Sequence, residues 1–125
     1  MVIKLLTIKR VYDEETGKTE IIRGELPVEI DTSFRAHLKW EEQFQAAVGY
    51  DLTTYTQIVA SWVKDPDRAK AQLVGLLKFL FCFINTDKLP TFRDFCGLFD
   101  FEIADEILKK INVVINEINK TASKN

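Results

Sequence analysis

The chain has 125 residues, 46% of them apolar and 29% charged, with only 3 prolines and 5 glycines. That length suits one domain able to bury roughly two-thirds of the surface its unfolded form exposes, and the composition excludes collagen-like or linker character. Seventeen basic against nineteen acidic side chains leave a net charge of −2, which argues against a general binder of nucleic acid or anionic membranes.

A single domain over 1–125 is expected, with a β-rich start (1–30), a helical body (31–119) and a polar tail (120–125). Val2, Ile3, Leu5, Leu6, Ile8 and Val11 are interspersed with Lys4, Thr7, Lys9 and Arg10, a strand texture. The polar stretch Asp13–Lys18 with a late Gly17 reads as a hairpin turn. Thr19–Ile22 is the expected return strand. Gly24 reads as an interruption and Leu26–Ile30 as a third short strand, which Pro27, unable to donate to a ladder, places at an edge or at the start of the strand.

At Asp31 the period becomes helical. Asp31, Thr32 and Ser33 are N-cap residues, and Phe34, Leu38, Phe44, Ala47 and Val48 are expected on one face of a helix ending near Gly49. Asp51–Thr54 offer caps for a helix carrying Tyr55, Ile58, Val59 and Trp62. Asp65-Pro66 starts a helix expected to run to about Ile84. Its second half, from Leu73, is apolar nearly all round, which requires burial on most sides. Asn85–Pro90 reads as a turn. Thr91 caps a short helix with Phe92, Phe95 and Leu98, and Asp100 starts the last helix, whose stripe includes Ile107, Ile111 and Ile115. The fold class is therefore α+β: an N-terminal antiparallel sheet of two or three strands, then four or five helices. Phe34, Leu38, Leu76, Leu80, Phe83, Ile107, Ile111 and Ile115 are the expected core.

Chemistry-bearing residues are sparse. His37 is the single histidine, and with Glu41 it falls short of the three or four ligands of a metal site. Cys82 lies within Phe79–Phe83, where burial makes a thiol inert, and Cys96 sits between Phe95 and Gly97. No signal-peptide pattern opens the chain, so free thiols and a cytoplasmic location are expected. Leu73–Ile84 contains Lys78 and is too short to cross a bilayer. Asp100, Glu102, Asp105 and Glu106 suit the first turns of a helix dipole. The glycines at 17, 24, 49, 75 and 97 are too scattered for a phosphate loop. No catalytic residue, cofactor or metal is expected. Aromatics are abundant, and Trp40, Phe44, Tyr50, Tyr55, Trp62, Phe99 and Phe101 do not all fit one buried face. Of these, Trp40, Tyr50, Tyr55 and Trp62 are the candidate partner-binding anchors.

Two segments carry a resemblance. Val28–Glu41, reading VEIDTSFRAHLKWE, is similar to the strand-to-helix junction of tail assembly chaperones from long-tailed phages and prophages of Gram-positive hosts. Leu76–Asp87, reading LLKFLFCFINTD and followed by Pro90–Phe95, resembles that family's long apolar helix and polar turn. The order of elements agrees over most of the chain. The resemblance implies a non-enzymatic protein that coats the tape measure protein in the host cytoplasm, self-associates into an oligomer or spiral, and is absent from the mature virion. The alternative is a small prophage adaptor or regulatory protein that sequesters a single host partner. The two differ in stoichiometry, many copies on a filament against one.

Overall fold

A computed structural model describes residues 1–85 and 91–123. Most of the expected Asn85–Pro90 turn and the last two residues of the polar tail lie outside the described residues. The fold is α+β, a two-stranded antiparallel sheet followed, among the described residues, by seven α-helices, some of them a single turn.

Strands β1 (Val2–Asp13) and β2 (Lys18–Glu29) form one ribbon, paired from Val2↔Glu29 to Asp13↔Lys18. Asp13 shapes the turn: its carboxylate accepts from the Glu15 N–H (2.9 Å) and its carbonyl from the Gly17 N–H (2.8 Å). Gly17 has φ of 67°, the left-handed conformation that glycine adopts without cost. The expected third strand is instead the end of β2. Pro27 pairs with Lys4, a position whose backbone N–H would point away from β1, so proline removes no ladder bond. Gly24 does not interrupt the strand; it sits opposite Thr7, whose hydroxyl would stand 3.0 Å from any added Cβ.

The ribbon changes its inward face along its length. Near its base Ile3, Leu5 and Val28, all on one face, are buried, but past the Thr7–Gly24 pair the buried residue is Ile8, on the other face. Such a turn is the strong twist of a two-stranded ribbon. From Lys9 to Glu25 every residue is exposed, so the distal half stands out as an arm. Arg10 fastens it, through Nε to Asp100 (2.8 Å) and Nη2 to Glu102 (3.3 Å), with Arg23 reaching Glu102 at 3.8 Å.

The helices start where their caps dictate. Ser33 caps α1 (Phe34–Trp40), Asp51 caps α3 (Leu52–Trp62), Asp65 caps α4 (Pro66–Lys70) and Thr91 caps α6 (Phe92–Cys96). Each side chain accepts a backbone N–H two or three residues on. A π-helical turn, Glu41–Gln45, joins α1 to α2 (Ala46–Val48), which ends at left-handed Gly49. Asp100 caps a 3₁₀ turn, Phe101–Ile103, that leads into α7 (Ala104–Ser123). The helix expected from Asp65 to Ile84 is two. Gln72 leaves helical space (φ −118°, ψ 26°) between α4 and α5 (Leu73–Cys82), so that Ala69 and the α5 side chains can each face the core.

Helix α5 lies at the centre, packed against α1, α3, α4, α6 and α7. Its C-terminal end is stitched to the ribbon. Ile30 bridges Ile84, the Asp31 N–H donates to the Phe83 carbonyl (2.7 Å), and the Asn85 N–H donates to the Glu29 carbonyl (2.8 Å). Lys39 also caps it, donating from Nζ to the carbonyls of Phe81 (2.9 Å) and Ile84 (3.1 Å).

Leu76, Leu80, Phe83, Ile107, Ile111 and Ile115 are buried as expected, but Phe34 is 88% and Leu38 53% exposed. Helix α1 carries two apolar rows, 34/38 and 36/40/44. It buries the second, because Trp40 and Phe44 offer more area than Phe34 and Leu38. Urea unfolding should therefore show a cost of about 2–5 kcal/mol for Leu80→Ala, and within about 0.5 kcal/mol of no change for Phe34→Ala.

Candidate partner-binding surface

The anchors expected from sequence separate into inside and outside. Trp40 and Tyr55 are core residues, buried within a chain of tilted and edge-on rings. Trp40 lies 4.6 Å from Tyr55 and 5.5 Å from Phe44, centroid to centroid, and its indole N–H donates to the Tyr50 carbonyl at 2.8 Å. Tyr55 meets Trp62 edge-on at 5.8 Å. From Phe44 the chain continues through Phe92, Phe81, Phe95 and Phe99 with spacings of 5.0–5.5 Å. Gly75 makes room for it, since any Cβ there would stand 2.5 Å from the Tyr55 hydroxyl. Burial raises the Tyr55 phenol to about 12. Trp40 and Tyr55 are thus unavailable to a partner; Trp62 is half-buried and Tyr50 exposed.

The exposed apolar residues lie elsewhere. Phe34 and Leu38 project from the outer row of α1, with the His37 ring edge-on to Phe34 at 6.1 Å. Beside them an open groove of about 560 Å³ runs between α1, α3 and the end of α7. Phe34, Phe83 and Ile118 provide its apolar wall, and His37, Thr53, Thr56 and Gln57 its polar one. Nothing in composition marks Phe34 as external. The available signal is its place directly after the Ser33 cap, in a first turn that the ribbon and α5 do not cover. A second exposed apolar group lies on the ribbon arm: Val11, Tyr12, Ile21 and Ile22.

The groups capable of chemistry do not converge. Among the described residues no polar or charged side chain is buried and no buried side-chain polar atom lacks a partner. Among them, too, no three His, Cys, Asp or Glu side chains gather as a metal site, and no helix is long and apolar enough to cross a membrane. Both cysteines are free thiols. Burial pushes the Cys82 thiol up to about 12, against a smaller opposing pull from Lys39, and burial also raises Cys96. What the surface offers is apolar area rimmed by polar groups, the chemistry of docking.

No protein-family model, no curated protein and no solved structure matches this chain.

Because the thiolate is the reactive form, Cys82 should stay unlabelled by a disulfide reagent at pH 8 while the protein is folded. It should react once urea unfolds the chain, a difference that mass spectrometry of the labelled peptide resolves.

Proposed function

We propose that the protein is a tail assembly chaperone, which binds the tape measure protein of a long-tailed phage and keeps it soluble until the tail tube forms around it. The observation that carries this reading is the exposed Phe34–Leu38 row beside its groove. It falls inside the segment Val28–Glu41 that resembles the family's strand-to-helix junction. An amphipathic helix lays its apolar stripe into such a groove, with anchors at helical spacing. The chaperone acts without catalysis, in the host cytoplasm, in several copies along one tape measure, and leaves before the virion is complete.

The working anchors in this proposal are Phe34 and Leu38, joined by exposed Tyr50, rather than the buried Trp40 and Tyr55. Binding is chiefly hydrophobic and so depends weakly on salt. Co-expression with the tape measure protein, read as its soluble fraction and as copies per complex by native mass spectrometry, tests the reading. Several copies per tape measure are expected. Phe34→Ala with Leu38→Ala should weaken binding by about 2 kcal/mol or more and return the tape measure protein to the pellet. Equal solubility without this protein would overturn the proposal, and a strict one-to-one complex would favour a sequestering adaptor.

A further inference from the structure

We infer that two copies of this chain join edge to edge through β1, antiparallel, with Val11 on the two-fold axis. The inference needs no tape measure protein and stands independently of the chaperone reading.

The ribbon has only two strands, so each strand has an outer edge. On β1 the Ile8 N–H points outward and donates to the Leu98 carbonyl at 2.8 Å. Backbone groups alternate in direction along a strand, so those of Arg10 and Tyr12 also point outward. Among the described residues they bond to no other backbone group. An open strand edge of this kind is a template for another strand.

Symmetry restricts how two identical edges can pair. Residues directly opposite must lie on the same face of the sheet, so a two-fold pairing places one residue opposite its own copy. With Val11 at that position, Arg10 and Tyr12 face each other's copies as hydrogen-bonded pairs, which is where their free N–H and C=O groups point. Lys9 then faces the second copy's Asp13, and Asp13 the second copy's Lys9. Neither Lys9 nor Asp13 has an ion-pair partner among the described residues. The contact thus unites two opposite-charge pairs and a Val–Val centre, each a favourable cross-strand combination, around the backbone ladder bonds of Arg10 and Tyr12. Pairing stops at Ile8 because its N–H is already engaged.

Neighbouring registers lack this match. Centring on Arg10 opposes two guanidinium groups. On the outer edge of β2, centring on Glu20 opposes two carboxylates, centring on Arg23 opposes two cations, and centring on Ile21 or Ile22 aligns no opposite charges. Centring on Gly24 aligns Arg23 with the second copy's Glu25, but these already pair with Glu102 and Lys4, and centring on Thr19 aligns Lys18 with Glu20 over only three strand residues before the turn. Of the registers on either edge, only the one about Val11 joins opposite charges that lack an ion-pair partner among the described residues over five strand residues, Lys9-Arg10-Val11-Tyr12-Asp13, which selects a second copy as the occupant of this edge.

Sedimentation equilibrium of the protein alone tests the contact. A concentration-dependent dimer, weakened by added salt, is expected. Lys9→Asp places like charges opposite each other and should raise the dimer Kd about tenfold or more. Adding Asp13→Lys to it should restore the affinity. Circular dichroism checks that each variant folds; if the double variant does not, Lys9→Asp alone decides. Val11→Cys should oxidise to a disulfide-linked dimer, while Ile21→Cys, on the β2 edge, should not. A monomer at every concentration, a dimer indifferent to Lys9→Asp, or linkage through Ile21→Cys equal to that through Val11→Cys would each overturn the inference.

Discussion

Helix α5 cannot be left in water, and most of the fold follows from that constraint. Leu76, Leu77, Phe79, Leu80, Phe81 and Cys82 are all buried on it, spread round the whole helix. A helix apolar on every side needs neighbours on every side, and α1, α3, α4, α6 and α7 supply them. Burying each of its large side chains contributes about 1.5–3 kcal/mol before conformational entropy is subtracted. Its end needs equal care, because the last carbonyls of a buried helix have no intrahelical donors. Lys39 provides them from its side chain and Asp31 from its backbone, and together with the Asn85 N–H, which donates to the Glu29 carbonyl, they bind the helical body to the base of the ribbon.

The elements with local signals were legible from the sequence. Ser33, Asp51, Asp65, Thr91 and Asp100 announce helix starts because a short polar side chain capping its own backbone is a local interaction. The hairpin turn follows from Asp13 and Gly17 for the same reason. Two features depended on partners distant in sequence. The continuity of β2 through Gly24 and Pro27 turns on which N–H groups face β1, a matter of register. The break at Gln72 turns on where α4 and α5 each meet the core.

The candidate surface was harder to read. Aromatic content indicated that something large would remain exposed, but helix α1 has two apolar rows and sequence spacing favours neither. The choice belongs to packing: Trp40 bridges Phe44 and Tyr55 and finds the Tyr50 carbonyl for its indole N–H, a combination Phe34 has no means to match. Trp40 and Tyr55 therefore hold the shape of the domain, while Phe34 and Leu38 are left facing water.

The reversal of the ribbon's inward face at Thr7 and Gly24 divides one strand pair into two regimes of local stability. Below it, the amides of Ile3 and Leu5 are shielded by the core and can exchange with solvent only when the whole domain opens. The Arg10 clasp is made of exposed ion pairs worth about 1 kcal/mol or less each; above it, among the described residues, the two strands have no ion pair and are held by each other, and an isolated hairpin is marginal in water. In the monomer the arm therefore unzips on its own, without disturbing α5 or the aromatic chain. Backbone amides of the monomer from Val11 to Ile22 will trade their hydrogens with deuterated water orders of magnitude sooner than those at the base, giving one continuous pair of strands two separate clocks.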